Sequence, residues 1–122
     1  MHYQVSIVGG GIAGALLALY LGRARISVCL IDRGLPSQDI QKPPEGKTTS
    51  LNLSSIESLK KAGVWDFIQK DSQKFEEIHV WDSEGSSSIE FKAHEISKQK
   101  LGVIVHNQII LEAIFREIKE YS

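Results

Sequence analysis

The sequence predicts an α/β fold in which a helix joins two parallel strands. Three features near the N-terminus predict it: a β-branched run at 3–8, an Ala- and Leu-rich stretch at 12–23, and a second β-branched run at 26–31. Glycines separate the first run from the helical stretch. A strand, a glycine turn, a helix and a second strand form a βαβ unit, for which a right-handed crossover is expected.

Each element of this unit has its own signal in the sequence. Alternation that passes into consecutive β-branched residues is typical of a short strand buried on both faces, as parallel strands are. Ala and Leu are good helix formers, so 12–23 is predicted to be a helix. Gly22 stands near its end, where a residue with positive φ would suit termination.

The middle of the chain predicts a loop followed by helices. All three prolines lie within 34–46, which indicates a loop. Apolar residues then recur at helical spacing over 50–62, and Gly63 follows as a stop. The apolar residues at 64–68 predict one more helical turn.

The last fifty residues predict a hairpin, a strand and a helix. Two β-prone runs, 75–81 and 88–91, flank a polar turn that contains a glycine, which is typical of a β-hairpin. A short strand is expected at 101–105. The final helix is predicted to have Asn107 as its cap and an apolar stripe that includes Ile110, Ile114 and Ile118.

Composition limits the classes of function. The chain has 122 residues, 42% hydrophobic and 24% charged, which is ordinary usage for one globular domain. Fourteen basic against fifteen acidic residues give a net charge of −1, so no basic surface for nucleic acid is expected. The four histidines and single cysteine lack the spacing of metal ligands, and no metal site is predicted.

The first strand is followed by a glycine motif of the form G-x-G-x-x-G. Gly9 allows a tight turn, Gly11 leaves room for a pyrophosphate to approach the backbone, and Gly14 lets the helix pack closely on the strand. Ile12 and Ala13 begin the helix, whose free N–H groups and partial positive charge attract phosphates. The motif therefore predicts a dinucleotide-binding turn. The alternative is a packing turn in which the glycines only relieve crowding.

An acidic residue completes the dinucleotide-binding pattern that the glycine motif begins. Asp32 follows the second strand, where a carboxylate can accept hydrogen bonds from both ribose hydroxyls of an adenosine. A carboxylate there would also repel a 2′-phosphate. Asp32 therefore favours FAD or NAD over NADP as the tightly held dinucleotide.

Three segments carry a resemblance to a known family: the glycine motif with its Asp32-Arg33 ending, the stretch Lys-Thr-Thr-Ser-Leu-Asn-Leu-Ser-Ser at 47–55 with Gly-Val-Trp at 63–65, and Val-His-Asn-Gln-Ile-Ile-Leu at 105–111. Over residues 3 to about 119 the chain resembles the flavoprotein aromatic hydroxylases, the class that includes para-hydroxybenzoate hydroxylase. Within that class it is most similar to the ubiquinone-biosynthesis hydroxylases.

The resemblance implies roles for individual residues. The three motif glycines would hold the FAD pyrophosphate, Asp32 the ribose, and Arg33 would lie against the adenine. Lys47 stands where the family more often has Arg. Lysine keeps the positive charge but lacks the planar guanidinium group that makes bidentate contacts. Gln108 stands where the family places Arg or Gln to reach the phosphate and ribityl region. His106 replaces the usual Glu. No residue is assigned as a catalytic acid or base.

The resemblance also implies a fold and a parent activity. The fold would be a partial Rossmann-like FAD-binding fold of the glutathione-reductase type, with residues 1–72 and 107–122 binding FAD. Residues 73–106 would form the first hairpin region of a β-rich substrate domain. The parent would be an FAD-dependent monooxygenase that uses NAD(P)H and O₂ to hydroxylate a small aromatic substrate, a polyprenylated phenol, in ubiquinone biosynthesis. The 122-residue chain is expected to be a fragment that is inactive alone.

Location and partners follow from the same resemblance. A cytoplasmic protein is expected, and peripheral association with the inner membrane or with a ubiquinone-biosynthesis complex is left open. Two other classes of function remain as alternatives. One is an NAD-binding module without oxidation chemistry. The other is a non-catalytic remnant or interaction protein that keeps the Rossmann-like fold without its ligand.

Overall fold

The computed structural model describes residues 2–34 and 46–121. Seven strands and four helices follow one another in these residues: β1 Val5–Val8, α1 Ile12–Arg23, β2 Val28–Ile31, β3 Thr48–Asn52, α2 Leu53–Lys61, α3 Trp65–Gln69, β4 Gln73–Phe75, β5 Glu77–Trp81, β6 Ser88–Lys92, β7 Gly102–His106 and α4 Asn107–Lys119. A 3₁₀ turn at Ala93–Ile96 links β6 to the residues before β7. Apart from its first and last residues, the loop predicted at 34–46 lies outside the described residues.

The N-terminal βαβ unit is confirmed. β1 and β2 pair in parallel, with Val5 opposite Val28, and α1 has the predicted bounds. The expected burial of β1 on both faces is wrong: its residues alternate between half-buried and exposed, and Val8 is 83% exposed. In the part of the chain that the structure describes, β1 pairs with β2 alone, so one edge of β1 stays open.

The end of α1 differs from the prediction made for Gly22. That glycine lies inside the helix, and the residue with positive φ is Arg25, at 62°. The peptide N–H of Arg25 donates to the Gly22 carbonyl at 3.0 Å and closes the last turn. The positive φ that ends α1 therefore lies three residues after Gly22.

A strand, β3, precedes the helix that the periodicity predicted over 50–62. β3 is paired on its whole length with β7 in antiparallel register, with Leu51 opposite Val103, and both of these side chains are buried. The helix α2 then begins at Leu53, where the Asn52 side chain accepts a hydrogen bond from the Ser55 amide at 2.8 Å. The prediction was wrong over 50–52 because pairing with a distant strand decides the conformation there.

β7 is the central strand of the three-stranded sheet β3–β7–β4. Gly102 begins β7 where the neighbouring strands come close: a Cβ built there would lie 2.1 Å from the Leu51 carbonyl oxygen and 2.8 Å from the Phe75 ring. The predicted hairpin is confirmed as β5 paired with β6, while Phe75 belongs to β4 instead. The predicted assignment of 73–106 to a separate substrate domain stays a prediction.

Helix α4 begins at Asn107, but this residue is not the cap. His106 occupies the N-cap position, and the Asn107 side chain instead accepts a hydrogen bond from the Thr49 hydroxyl. The predicted apolar stripe packs inward, since Ile110 and Ile114 are fully buried and Ile118 packs against the same core.

One hydrophobic core joins α1, α2, α3, α4 and the β3–β7 pair. It contains fourteen buried side chains, among them Leu19 of α1, Ile68 of α3 and Val103 of β7. This core fixes α1 and α4 side by side and so positions their N-termini. In the described ranges 2–34 and 46–121, no helix is long and apolar enough to cross a membrane.

Candidate dinucleotide-binding site

The glycine motif forms a turn between β1 and α1. Gly9 has a φ of +111°, a conformation that L side chains rarely adopt, and its amide donates to the Ile31 carbonyl at 2.8 Å. The turn is therefore tied to the end of β2. Gly11 follows in extended conformation at the N-cap of α1.

The glycines of the motif are required for different reasons. A Cβ built on Gly14 would lie 2.0 Å from the Gly9 carbonyl oxygen, so α1 packs directly on the turn. A Cβ built on Gly11 would meet no protein atom within 4 Å. Gly14 thus serves the packing of the protein itself, as predicted. Gly11 borders open space at the helix N-terminus, where a phosphate can reach the backbone.

The first turn of α1 is suited to an anion. The first N–H groups of a helix lack partners within it, and the N-terminus carries a partial positive charge. Gly11 supplies no side-chain cap, and the first turn, which contains Ile12 and Ala13, has no acidic residue. The donors that a capping side chain would otherwise occupy are therefore open to a phosphate.

Asp32 lies directly beside this turn. Its Oδ2 accepts a hydrogen bond from the Gly10 amide at 3.1 Å, its Oδ1 accepts one from the Arg33 amide, and the residue is exposed. A carboxylate with lone pairs still facing solvent can accept ribose hydroxyls. The structure thus brings Asp32 together with residues 9–14, as the sequence predicted. Arg33 is exposed next to it.

Gly10 is a residue of this site whose role the sequence analysis missed. It is buried, and a Cβ built there would lie 2.6 Å from the Asp32 Oδ2. A side chain at Gly10 would therefore push the carboxylate away from the turn. The signal in the sequence was a glycine at the variable position between Gly9 and Gly11, where the motif itself does not require one.

A second helix N-terminus faces the same end of the molecule. The last turns of α1 and α4 meet where Arg23 donates to the Tyr121 hydroxyl at 3.2 Å and pairs with Glu117 at 3.4 Å. Since the last turns of the two helices meet and both helices pack along the same core, α1 and α4 run in the same direction. Like α1, α4 has no side-chain cap and no acidic residue in its first turn.

Lys47 and Gln108 both lie at the N-terminus of α4. The peptide N–H of Asn107 donates to the Lys47 carbonyl at 3.0 Å, which places the exposed Lys47 beside the first turn of the helix. Gln108 lies in that turn, and its Nε2 donates to Glu112 Oε1 at 3.2 Å. This bond leaves the second amide hydrogen of Gln108 for another acceptor. At the same place the Nδ1 of His106 is buried with no hydrogen-bond partner among the described residues.

These features fit a dinucleotide. A diphosphate finds uncapped helix N–H groups beside an unobstructed Gly11, and a ribose finds the Asp32 carboxylate. Lys47, just before β3, adds a positive charge, and the Gln108 amide in the first turn of α4 adds a donor. The structure brings residues 9–14 together with 32–33, and 47 together with 108.

Comparison with known proteins finds similarity over nearly the whole chain. A family model described as FAD binding domain matches residues 2–118. The ubiquinone biosynthesis monooxygenase COQ6 of Dictyostelium discoideum is 29% identical over 98% of this chain and 27% of its own length. The 3-demethoxyubiquinol 3-hydroxylase of Escherichia coli is 27% identical over 97% of this chain and 30% of its own length. The chain thus spans less than a third of these two relatives.

Solved structures share the fold. The crystal structure of Pseudomonas aeruginosa PqsL in complex with 2-aminobenzoylacetate superimposes with a TM-score of 0.73, at 21% identity, over 99% of this chain and 32% of that one. The flavin-dependent monooxygenase PieE in complex with FAD and substrate gives a TM-score of 0.67, at 16% identity, over 99% of this chain and 22% of that one. The predicted Rossmann-like FAD-binding fold is therefore confirmed.

Proposed function

The chain belongs to the FAD-binding domain family, and we propose that it holds the diphosphate and adenosine of FAD in a flavoprotein monooxygenase. The observation that carries the proposal is the space at Gly11, where a built Cβ meets no protein atom beside the uncapped N-terminus of α1. Asp32, fixed next to this turn by the Gly10 amide, supplies the acceptor for the ribose.

The residues of this site are proposed to bind and orient FAD. The α1 N–H groups and Gly11 hold the pyrophosphate, Asp32 holds the ribose, and Arg33 covers the adenine. Lys47 and Gln108, at the N-terminus of α4, reach the phosphate and ribityl region. When bound, the flavin supplies redox chemistry with NAD(P)H and O₂, and the protein's share is to position it.

The proposed substrate is a small aromatic ring, a polyprenylated phenol of ubiquinone biosynthesis. The support is that two relatives similar over nearly all of this chain are named ubiquinone biosynthesis monooxygenases, and a third is named a 3-demethoxyubiquinol 3-hydroxylase. No residue in the described ranges is assigned to proton transfer with this ring. We propose that the 122 residues alone do not carry out the hydroxylation, and that the protein works in the cytoplasm or against the inner-membrane surface.

A direct experiment separates this function from the two alternatives. The purified chain is titrated with FAD, and with NADH as a competitor, while the quenching of flavin fluorescence is measured. Saturable quenching that NADH does not reverse at equal concentration supports an FAD site. Preferential binding of NADH would favour the NAD module, and no saturable binding of either ligand would favour a remnant without a ligand.

A further inference from the structure

A hydrogen bond between Thr49 and Asn107 connects the two segments that carry Lys47 and Gln108. The Thr49 hydroxyl donates a partly buried hydrogen bond to the Asn107 side-chain oxygen, across 58 positions of the sequence. The Asn107 amide donates to the Lys47 carbonyl at 3.0 Å. Through these two bonds, Asn107 of α4 is held at the start of β3 by both its own side chain and its own backbone.

The pair lies between the two proposed cofactor contacts. Lys47 directly precedes β3, two residues before Thr49, and its carbonyl accepts the hydrogen bond from the Asn107 peptide N–H. Gln108 is the next residue after Asn107, in the first turn of α4. The bond therefore fixes the relative position of a lysine on one segment and a glutamine amide on another.

Neither strand pairing nor helix capping accounts for this bond. The ladder already pairs Thr49 with Val105, and its backbone hydrogen bonds do not use the hydroxyl. Asn107 is past the N-cap position, where its side chain would otherwise serve the helix. What the bond adds is the orientation of the first turn of α4 relative to β3.

We infer that Thr49 and Asn107 are positioning residues of the FAD site, which rests on the function proposed above. They touch no part of the cofactor themselves. They hold the Lys47 and Gln108 side chains at the spacing that the phosphate and ribityl region of FAD requires. Binding of the adenosine at Asp32 does not depend on them.

Two ligands separate positioning from general stability. FAD engages both the glycine turn and the α4 end, whereas AMP offers only an adenosine and one phosphate to the glycine turn and Asp32. Thr49→Val keeps the shape but loses the hydroxyl. FAD affinity should fall about 2- to 10-fold, because a displaced Gln108 or Lys47 side chain loses about one hydrogen bond to the cofactor. AMP affinity should change by less than twofold.

The experiment measures FAD affinity by fluorescence quenching, AMP affinity by calorimetry and the thermal midpoint of the unliganded chain. Thr49→Ser keeps the hydroxyl and should bind FAD as the unmodified chain does. Thr48→Val is the matched control, since Thr48 is exposed and its side chain lies on the other face of β3. Asn107→Ala should reproduce the loss, and combining it with Thr49→Val should add little, because the two residues share one bond.

The outcomes are distinct. Unchanged FAD affinity in both Thr49→Val and Asn107→Ala overturns the inference and leaves the proposed function standing. A parallel loss of FAD and AMP affinity, together with a lower thermal midpoint, overturns it in favour of a purely structural bond. If the unmodified chain shows no saturable FAD binding, the proposed function fails and the inference falls with it.

Discussion

Gly14 packs so closely on Gly9 that a Cβ atom added to Gly14 would lie 2.0 Å from the Gly9 carbonyl oxygen. Gly9 in turn has a φ of +111° and is bonded to the end of β2. The helix, the turn and both strands of the βαβ unit therefore depend on one close approach. Two glycines that look equivalent in the motif, Gly11 and Gly14, thus have different tasks.

The first prediction is that Gly14→Ala destabilises the fold. The methyl group has to displace backbone, which costs about 1–3 kcal/mol, and this outweighs the gain of up to about 1 kcal/mol in helix propensity. Gly22→Ala is the matched control in the same helix, because a Cβ there meets no atom within 4 Å. Urea unfolding should show a lower free energy of unfolding for Gly14→Ala and no decrease for Gly22→Ala. Equal stability of the two variants would contradict the close packing.

The second prediction concerns the ribose contact. Asp32→Ala removes a charged acceptor worth about 1.5–3 kcal/mol, so FAD affinity should fall roughly 10- to 100-fold, and AMP affinity should fall in the same proportion. Asp71→Ala removes an equal charge from an exposed turn and should leave both affinities unchanged. Fluorescence quenching and calorimetry measure the two ligands. A change of less than twofold in Asp32→Ala would place the adenosine elsewhere.

The third prediction is self-association of the 122-residue chain. Among the residues that the structure describes, β1 has an open edge, and Val8 is exposed. One face of the β5–β6 hairpin bears four exposed apolar side chains: Ile78, Val80, Ile89 and Phe91. Open apolar edges promote association between strands. Light scattering after gel filtration should give a mass above 13.6 kDa. The double variant Ile78→Thr/Ile89→Thr, which keeps β propensity, should lower that mass. A monomeric unmodified chain would refute this prediction.

The fourth prediction is that the same chain is a poor flavoprotein. The contacts proposed above serve the diphosphate, ribose, adenine and ribityl chain, and none of the described residues is assigned to the isoalloxazine ring. The purified protein should therefore be colourless and bind added FAD only weakly. It should show no FAD-dependent oxidation of NAD(P)H, measured by nucleotide absorbance. A yellow preparation that oxidises NAD(P)H would show that these residues contribute more than binding.

Local signals predicted the N-terminal unit because its elements depend on neighbouring residues. The helix at 12–23 follows from propensity, and the turn follows from the glycine spacing. β3 was missed because it is a strand only through pairing with β7, some fifty residues away. The role of Gly10 was missed because it depends on where the Asp32 carboxylate points.

The cap of α4 was misassigned for a similar reason. Asn is a favoured cap, yet here Asn107 bonds to Thr49 across the fold instead. A single sequence carries no signal for a side-chain bond between residues 58 positions apart. The residues of the predicted site were therefore found from the motif, but the bonds that position them required the structure.

The central claim, that FAD binds at the N-terminus of α1, is tested most directly by titrating Gly11→Val with FAD. A side chain at Gly11 enters the space that the pyrophosphate needs but meets no protein atom at its Cβ. Saturable quenching of flavin fluorescence by the unmodified chain should be lost in Gly11→Val. The free energy of unfolding in urea should change by less than about 0.5 kcal/mol. Equal FAD affinity in a folded Gly11→Val variant would mean that FAD does not bind at the N-terminus of α1.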